Sequence, residues 1–403
     1  MLKIKLHWQI LIALVIAVLY GALFPNYVEY VSWMGDLFLR ALKMIIVPLI
    51  LSSIISGVTN IGNAENLGKL GIKTLTYYLS TSLLAILIGL FLVNIFQPGI
   101  GADLGLSKQV EELGIAKESF GDTLINIIPV NIFESFLKGD MLSIIFFAIL
   151  FGFFITQIKE SYRVNLTNFF DAFFEVMMKI TMFIIKFAPL GIFGIVAVTI
   201  SQQNDLLQLV QSMGLYMITV LLGLAFHSMV TLPLILKFIA KVDPWLHVKA
   251  MTTPLLTAFS TSSSNATLPL TIDAVENNSG VSNKITSFTL PLGATVNMDG
   301  TALYECVAAI FIAQAYGVEL TFVQQIIVVI TALLASIGAA GIPMAGLVTI
   351  TIILSAVGLP LEGVGLILSV DRILDMCRTV VNVWSDSCGA VTIAKTEGEE
   401  LKV

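Results

Sequence analysis

Ile326-Ile-Val-Val-Ile-Thr-Ala-Leu-Leu-Ala-Ser336-Ile-Gly-Ala-Ala-Gly341-Ile-Pro343-Met-Ala-Gly346-Leu-Val-Thr-Ile-Thr-Ile352 is apolar at both ends and broken in the middle. A hairpin tip accounts for Gly341-Ile342-Pro343 better than a straight helix does, because proline removes an amide donor and crowds the preceding turn. A counterpart lies upstream at 251–273, interrupted from Ser260 to Pro269. Each broken piece adjoins a longer apolar segment that carries charges, 284–314 and 359–395. Irregular backbone at membrane depth persists only when buried in protein or around a cavity. Paired broken segments in corresponding positions are a mark of secondary-transporter binding sites. We therefore read 244–279 and 323–355 as two re-entrant helical hairpins related as inverted repeats. Two Ser- or Gly-rich helices at a packing interface are the alternative.

Composition sets the solvent. Of 403 residues, 57% are hydrophobic and only 12% charged, with a mean hydropathy of +0.94. Soluble domains carry about a quarter charged residues, so this chain lacks the polar surface to cover a water-exposed globule. Apolar runs bounded by charges or Gly, Pro and Asn fall near 8–26, 35–60, 70–97, 123–157, 167–200 and 207–240. With the two charged segments these predict an all-α polytopic membrane protein of about eight transmembrane helices plus the two hairpins. Lys3 and Lys5 precede a first span with no small-residue cleavage site, which reads as a retained span rather than a signal peptide. Lys69, Lys73, Lys159, Arg163, Lys237, Lys241 and Lys249 fall on one side, while the loops 98–122 and 201–206 are acidic. Both termini are thus expected in the cytoplasm of a cell membrane. No Lys/Arg run suggests nucleic acid. Cys306, Cys377 and Cys388 lack metal or disulfide spacing and lie far in sequence from His7, His227 and His247.

The last span reads Ser369-Val-Asp371-Arg-Ile-Leu-Asp375-Met-Cys-Arg378-Thr379-Val-Val-Asn382-Val-Trp-Ser-Asp386. At about 100° per residue, Asp371, Asp375, Arg378, Thr379, Asn382 and Asp386 share a stripe about 100° wide, with Cys377 and Trp384 facing away. Each charge at the bilayer centre costs at least about 2.5 to 3.5 kcal/mol on insertion scales, so these groups face each other, a ligand or water. Asp375 and Arg378 sit three apart, where a structural ion pair is one reading. The functional reading pairs an acidic acceptor for an ammonium with a guanidinium that grips a carboxylate bidentately. Together they describe a zwitterion with an extra acidic group. Arg372, at the margin of the stripe, is assigned a structural pairing or a water-facing role.

Gly293-Ala-Thr295-Val-Asn297-Met298-Asp299-Gly300-Thr301 is rich in poor helix formers. A break there frees backbone carbonyls beside a carboxylate, an oxygen set suited to a small, hard cation; a kink around a buried, hydrogen-bonded aspartate is the alternative. Glu305 follows, and a glutamate in apolar surroundings is either structural or carries a proton. At the first tip, Ser260-Thr-Ser262-Ser263-Ser264-Asn265-Ala-Thr267 offers hydroxyls and a helix N-terminus to an anionic group.

These motifs resemble the dicarboxylate/amino acid:cation symporter family, which includes archaeal aspartate transporters and the animal excitatory and neutral amino acid transporters. The resemblance covers nearly the whole chain. It implies that Asp375 binds the substrate ammonium and Arg378 its side-chain carboxylate. Thr379, Asn382, Thr301, Ser263, Ser264 and the backbone of Ala340 and Gly341 complete that pocket. For sodium it implies three sets: Asp386 and Asn297 with backbone from Gly293; Tyr78, Thr81, Ser82, Asn297 and Asp299; and backbone around Ser336, Ile337 and Ala339 with Thr295 and Met298. Glu305 looks like the proton-carrying glutamate of the animal glutamate transporters.

The domain arrangement implied is scaffold helices 1 and 2 in 1–68, transport helix 3 in 69–100, scaffold helices 4 and 5 in 101–204, and the remaining transport elements in 205–403. The second hairpin tip, Ser336 to Gly346, is the implied gate. The expected function is sodium-driven symport of L-aspartate or L-glutamate by elevator-type alternating access, possible proton co-transport included. The expected assembly is a homotrimer in the lipid bilayer, with co-transported Na+ and no organic cofactor. Proton coupling, or a neutral amino acid or dicarboxylate substrate, is the runner-up. A channel needs no zwitterion-shaped pair. An enzyme is not expected, since the last-span stripe has no Cys or His and its Ser/Thr have no general base. The chain departs from the pattern at Ser262, Asn265, Met376 and Trp384-Ser385, the last replacing a smaller pair and expected to affect packing only.

Overall fold

The computed structural model describes residues 6–62, 69–101, 125, 127–201, 206–338 and 345–403. Among these the regular structure is helical throughout. Helices α1 (Leu6–Leu23), α2 (Glu29–Gly62) and α3 (Lys69–Phe96) follow the first three apolar runs.

The expected span at 123–157 is divided. Asn131 caps a short α4 (Ile132–Lys138) through its side chain, and Gly139, at φ 73°, ends it in the left-handed conformation that glycine adopts without a Cβ clash. The long helix, α5, runs only over Met141–Gln157. The expected span at 167–200 is likewise two helices, α6 (Glu160–Ile185) and α7 (Ala188–Ser201), bent by 54°. Pro189 stands in the first turn of α7, where a missing amide donor costs nothing and a new helix axis can begin.

Helix α8 (Leu206–Phe226) continues to Ala240 through π-helical turns at His227–Thr231 and Leu236–Ala240 on either side of Pro233. The first hairpin follows a short α9 (Pro244–Ala250) and consists of α10 (Thr252–Thr261) and α11 (Ser264–Asp273), which pack side by side. Next come α12 (Asn283–Val296) and α13 (Asp299–Ala315), separated by two non-helical residues. The second hairpin is α14 (Phe322–Gly338) against α15 (Ala345–Ala356), and α16 (Val364–Thr396) closes the fold.

By length and apolarity four helical stretches among the described residues could cross a membrane: 29–59, 70–96, 210–240 and 283–315. The bent α6–α7 pair is a fifth. Shorter apolar helices occur at Trp8–Leu23 and Ser143–Gln157, and α16 is the charged span. Large apolar side chains such as Met44, Phe91, Phe153 and Phe183 are exposed, as a lipid-facing surface requires.

Two packed groups recur in the contacts. Helix α1 lies on α7, and α2 lies on α5, α6 and α7. Separately, α13 is embraced by α3, α8, the second hairpin and α16, while α10 and α12 lie on α16. Nearly every residue of α13 is buried, which is why it reads as apolar all round instead of amphipathic. A second hydrophobic cluster, including Leu70, Leu236, Ala258, Leu290 and Val391, joins α3, the end of the α8 stretch, the first hairpin, α12 and α16.

Candidate substrate and cation sites

Helix α16 carries its polar stripe inward. Asp371, Arg378, Thr379, Asn382 and Asp386 are all buried, and Asp375 is 19% exposed. Arg378 Nη2 donates to Asp375 Oδ1 at 2.8 Å and lies 3.2 Å from Asp371 Oδ1, so the i, i+3 pair is formed and a second carboxylate joins it. The guanidinium carbon sits 4.0 Å from the centroid of the Tyr304 ring. Nη1, by contrast, is buried with no hydrogen-bond partner among the described residues. Gly346 of α15 is close by: a Cβ there would come within 2.5 Å of Nη1. Arg372 is 44% exposed, 3.7 Å from Asp375 Oδ2, matching its expected pairing toward water.

The neighbouring turn ties α16 to α13. Asn382 Oδ1 accepts from the Gly300 amide at 2.8 Å, and its Nδ2 donates to Thr301 Oγ1 at 3.1 Å and lies 3.2 Å from Met298 sulfur. Thr379 Oγ1 donates to the Asp375 carbonyl at 2.7 Å. Asp375, Arg378, Thr379, Asn382 and Thr301 thus form one continuous face.

The helix break expected around Asn297 is present. Asn297 (φ −94°, ψ 84°) and Met298 (φ −111°, ψ 50°) leave the helical region between α12 and α13. Asn297 Nδ2 donates to Asp386 Oδ1 at 2.9 Å. Gly293 lets that carboxylate approach the backbone, since a Cβ would meet Asp386 Oδ1 at 2.6 Å and the Tyr78 hydroxyl at 2.8 Å. On the other side of Asn297, its Oδ1 and Asp299 Oδ1 each lie 3.3 Å from Thr81 Oγ1, and Ser82 donates to Asp299 Oδ1 at 2.6 Å. Tyr78 touches both sets: its phenol donates to the Thr289 carbonyl at 2.8 Å beside Gly293 and Asp386, and its backbone oxygen lies 3.1 Å from Thr81 Oγ1 in the second set.

The third set is partly visible. Thr295 is exposed with its hydroxyl on its own helix, Ser336 Oγ donates to the Leu333 carbonyl at 2.9 Å, and α12 adjoins α14. The backbone of Ile337 is helical. Ala339, Ala340, Gly341 and most of the expected gate lie outside the described residues. At the first tip, Ser262 is left-handed (φ 51°) and Ser263 Oγ accepts from the Ala266 amide at 3.2 Å, capping α11; Ser264 is its first residue. Both arms of this hairpin pack on α16.

Three site residues escaped the sequence reading. Tyr304 donates to Asp371 Oδ1 at 2.7 Å beneath Arg378. His227, in the first π-helical turn, lies with Nε2 2.9 Å from Asp299 Oδ2. Ser385 donates to the same oxygen at 2.6 Å and accepts from Asn297 Nδ2 at 3.0 Å, so its effect is not confined to packing. Trp384 does pack, its ring tilted against that of His247 at 5.1 Å and its indole N–H on the Ser228 carbonyl. Glu305 is buried on α13, accepts from the Thr349 hydroxyl through Oε1 and has no partner on Oε2 among the described residues.

Broken apolar helices that gather a buried guanidinium, several carboxylates and hydroxyl and amide oxygens inside a membrane chain define a secondary transporter. Residues 6–396 match the sodium:dicarboxylate symporter family, and the chain belongs to that family. A proton/sodium-glutamate symport protein of Geobacillus stearothermophilus is 39% identical over 412 residues, spanning 99% of this chain and 96% of the relative. A proton/glutamate-aspartate symporter of Escherichia coli (strain K12) is 36% identical over 413 residues, 98% of this chain and 94% of the relative. An excitatory amino acid transporter of Caenorhabditis elegans is 38% identical over 411 residues, 91% and 81% respectively.

Proposed function

We propose that the protein is a sodium-coupled symporter of L-glutamate and L-aspartate, not an enzyme. The observation that carries the substrate is Arg378: one side of its guanidinium is held by Asp371 and Asp375, while Nη1 is buried without a partner among the described residues. A buried donor left unmade is costly, so a carboxylate arriving there gains a charge-assisted bond at little reorganisation cost. Asp375, the more exposed of the two carboxylates, is left to receive the ammonium. The names of the relatives, all glutamate or excitatory amino acid transporters, support an acidic amino acid.

Cation coupling follows from charge. Asp299, Asp371 and Asp386 are buried with Arg378 as the guanidinium among them, and an acidic amino acid adds further negative charge. Cations bound beside these carboxylates would lower the cost of carrying that imbalance through a low-dielectric layer. The hydroxyl, amide and carboxylate oxygens around Asn297 suit sodium, a hard cation, better than a softer metal. Glu305 is the candidate for a co-transported proton. The third sodium set, with Ser336, Ile337, Ala339, Thr295 and Met298, remains part of the proposal.

In the transport cycle we assign α1, α2 and α4–α7 to a scaffold and α3, α8 and everything after it to a moving unit, with the second hairpin as gate. Coupling arises if that gate closes only over a loaded site, a difference in ligand affinity between open and closed states. A homotrimer in the cell membrane, with both termini cytoplasmic, completes the proposal. Labelled glutamate and aspartate uptake into proteoliposomes under imposed sodium gradients tests it. Concentrative uptake supports the symporter; equilibration without accumulation supports a channel.

A further inference from the structure

We propose that Ser385 is a positioning residue of the cation sites, a hydroxyl that orients Asn297 and Asp299 and thereby sets the sodium affinity of transport. The proposal rests on the sodium-coupled reading above. Ser385 is fully buried, and its single proton goes to Asp299 Oδ2 at 2.6 Å. Its oxygen accepts one amide proton of Asn297 at 3.0 Å, and the other amide proton goes to Asp386 Oδ1 at 2.9 Å. With both protons committed to that side, the Asn297 oxygen is turned the opposite way, 3.3 Å from Thr81 Oγ1. A side-chain amide has one oxygen to offer, so Ser385 helps decide which oxygen set receives it. The same hydroxyl, together with His227 Nε2 at 2.9 Å, holds the back of the Asp299 carboxylate, leaving Oδ1 toward Thr81 and Ser82. An unbroken run of hydrogen bonds, Asp299–Ser385–Asn297–Asp386, therefore joins two anionic cation ligands across the helix break.

Replacing Ser385 by alanine removes about one atom of volume and both bonds. Asn297 then carries an amide proton without an acceptor in a buried site, and rotation of the amide or of the Asp299 carboxylate becomes the cheaper state. Cation oxygens that must be reordered on binding bind more weakly. A packing role alone predicts lower stability or lower maximal rate, with the sodium dependence unmoved.

The test uses purified full-length protein in proteoliposomes, with labelled L-glutamate uptake measured against sodium chloride replaced isotonically by choline chloride. Ser385→Ala is expected to raise the sodium concentration at half-maximal uptake about tenfold, while the glutamate KM at saturating sodium stays within about twofold. Ser387→Ala is the control for loss of a hydroxyl from the same helix: Ser387 is equally buried but bonds to His247 and the Trp384 carbonyl. It is expected to leave the sodium dependence at the wild-type value. An unchanged or lower half-saturating sodium concentration in Ser385→Ala, or an equal shift in Ser387→Ala, overturns the proposal while the symporter reading stands. Wild-type uptake indifferent to sodium overturns both.

Discussion

Tyr304 supports Arg378 in two ways at once. Its ring lies under the guanidinium carbon at 4.0 Å, and its hydroxyl donates at 2.7 Å to Asp371, which itself contacts Arg378 Nη2 at 3.2 Å. The aromatic face attracts the cation, a contribution of about 2 kcal/mol when desolvated, and the hydroxyl fixes the carboxylate that pairs with it. Arginine, aspartate and tyrosine come from two helices, α13 and α16, so the unit also locks the packing of the central helix.

Separating these two contributions gives the first prediction. Tyr304→Phe keeps the ring and is expected to weaken glutamate affinity several-fold; Tyr304→Leu removes both supports and is expected to weaken it by about thirtyfold. Equilibrium binding in detergent at fixed sodium measures both. Equal effects from the two variants would mean that the ring contact contributes nothing.

Arg378→Cys removes the donor assigned to the substrate side chain. Truncating one member of a buried charge pair costs at least about 2 kcal/mol, or about thirtyfold in affinity. Uptake of acidic amino acids is expected to fall by that factor or more, and competition by neutral amino acids is expected to appear. Unchanged aspartate affinity removes Arg378 from its role.

Gly346→Ala probes the Nη1 side of the guanidinium without removing a charge. The added Cβ would come within 2.5 Å of Nη1 and 2.9 Å of the Tyr304 ring. The arginine side chain must shift, and acidic-substrate affinity is expected to drop at least tenfold, with a loss of stability of about 1 to 3 kcal/mol from overpacking. Isothermal binding and a thermal melt on the same preparation check the two halves.

These sites were unequally legible in the sequence. The α16 stripe could be read because helical phase places Asp371, Arg378, Asn382 and Asp386 together, and charges in an apolar span have few places to go. The break at Asn297-Met298 was legible from its Asn, Asp and Gly content, and the hairpins from Gly341-Ile342-Pro343 and the serine tip. Boundaries failed where a single residue ended a helix, at Gly139 and before Pro189. Tyr304 and His227 were hidden because each sits in an apolar run and meets its partner about seventy residues away, at Asp371 and Asp299, a pairing that only tertiary packing creates. Helix phase places the Tyr78 backbone beside Thr81 but does not show where its long side chain ends, on the Thr289 carbonyl.

Glu305 carries the prediction on protons. Thr349 donates to one of its oxygens and the other has no partner among the described residues. If Glu305 carries a proton, uptake by the wild type is faster with an inward proton gradient added to sodium, and Glu305→Gln loses that increment while retaining sodium-driven uptake. A Glu305→Gln variant with the wild-type pH response assigns the proton elsewhere.

The central claim is coupling of an acidic amino acid to sodium, and uptake of labelled aspartate and glutamate into proteoliposomes tests it most directly. Three conditions are compared: an inward sodium gradient, an inward proton gradient and none. The account predicts accumulation above equilibrium with the sodium gradient, at most an increment from protons added to it, and none without a gradient. Accumulation driven by protons alone, with no response to sodium, would contradict the roles given to Asp299, Asn297 and Asp386.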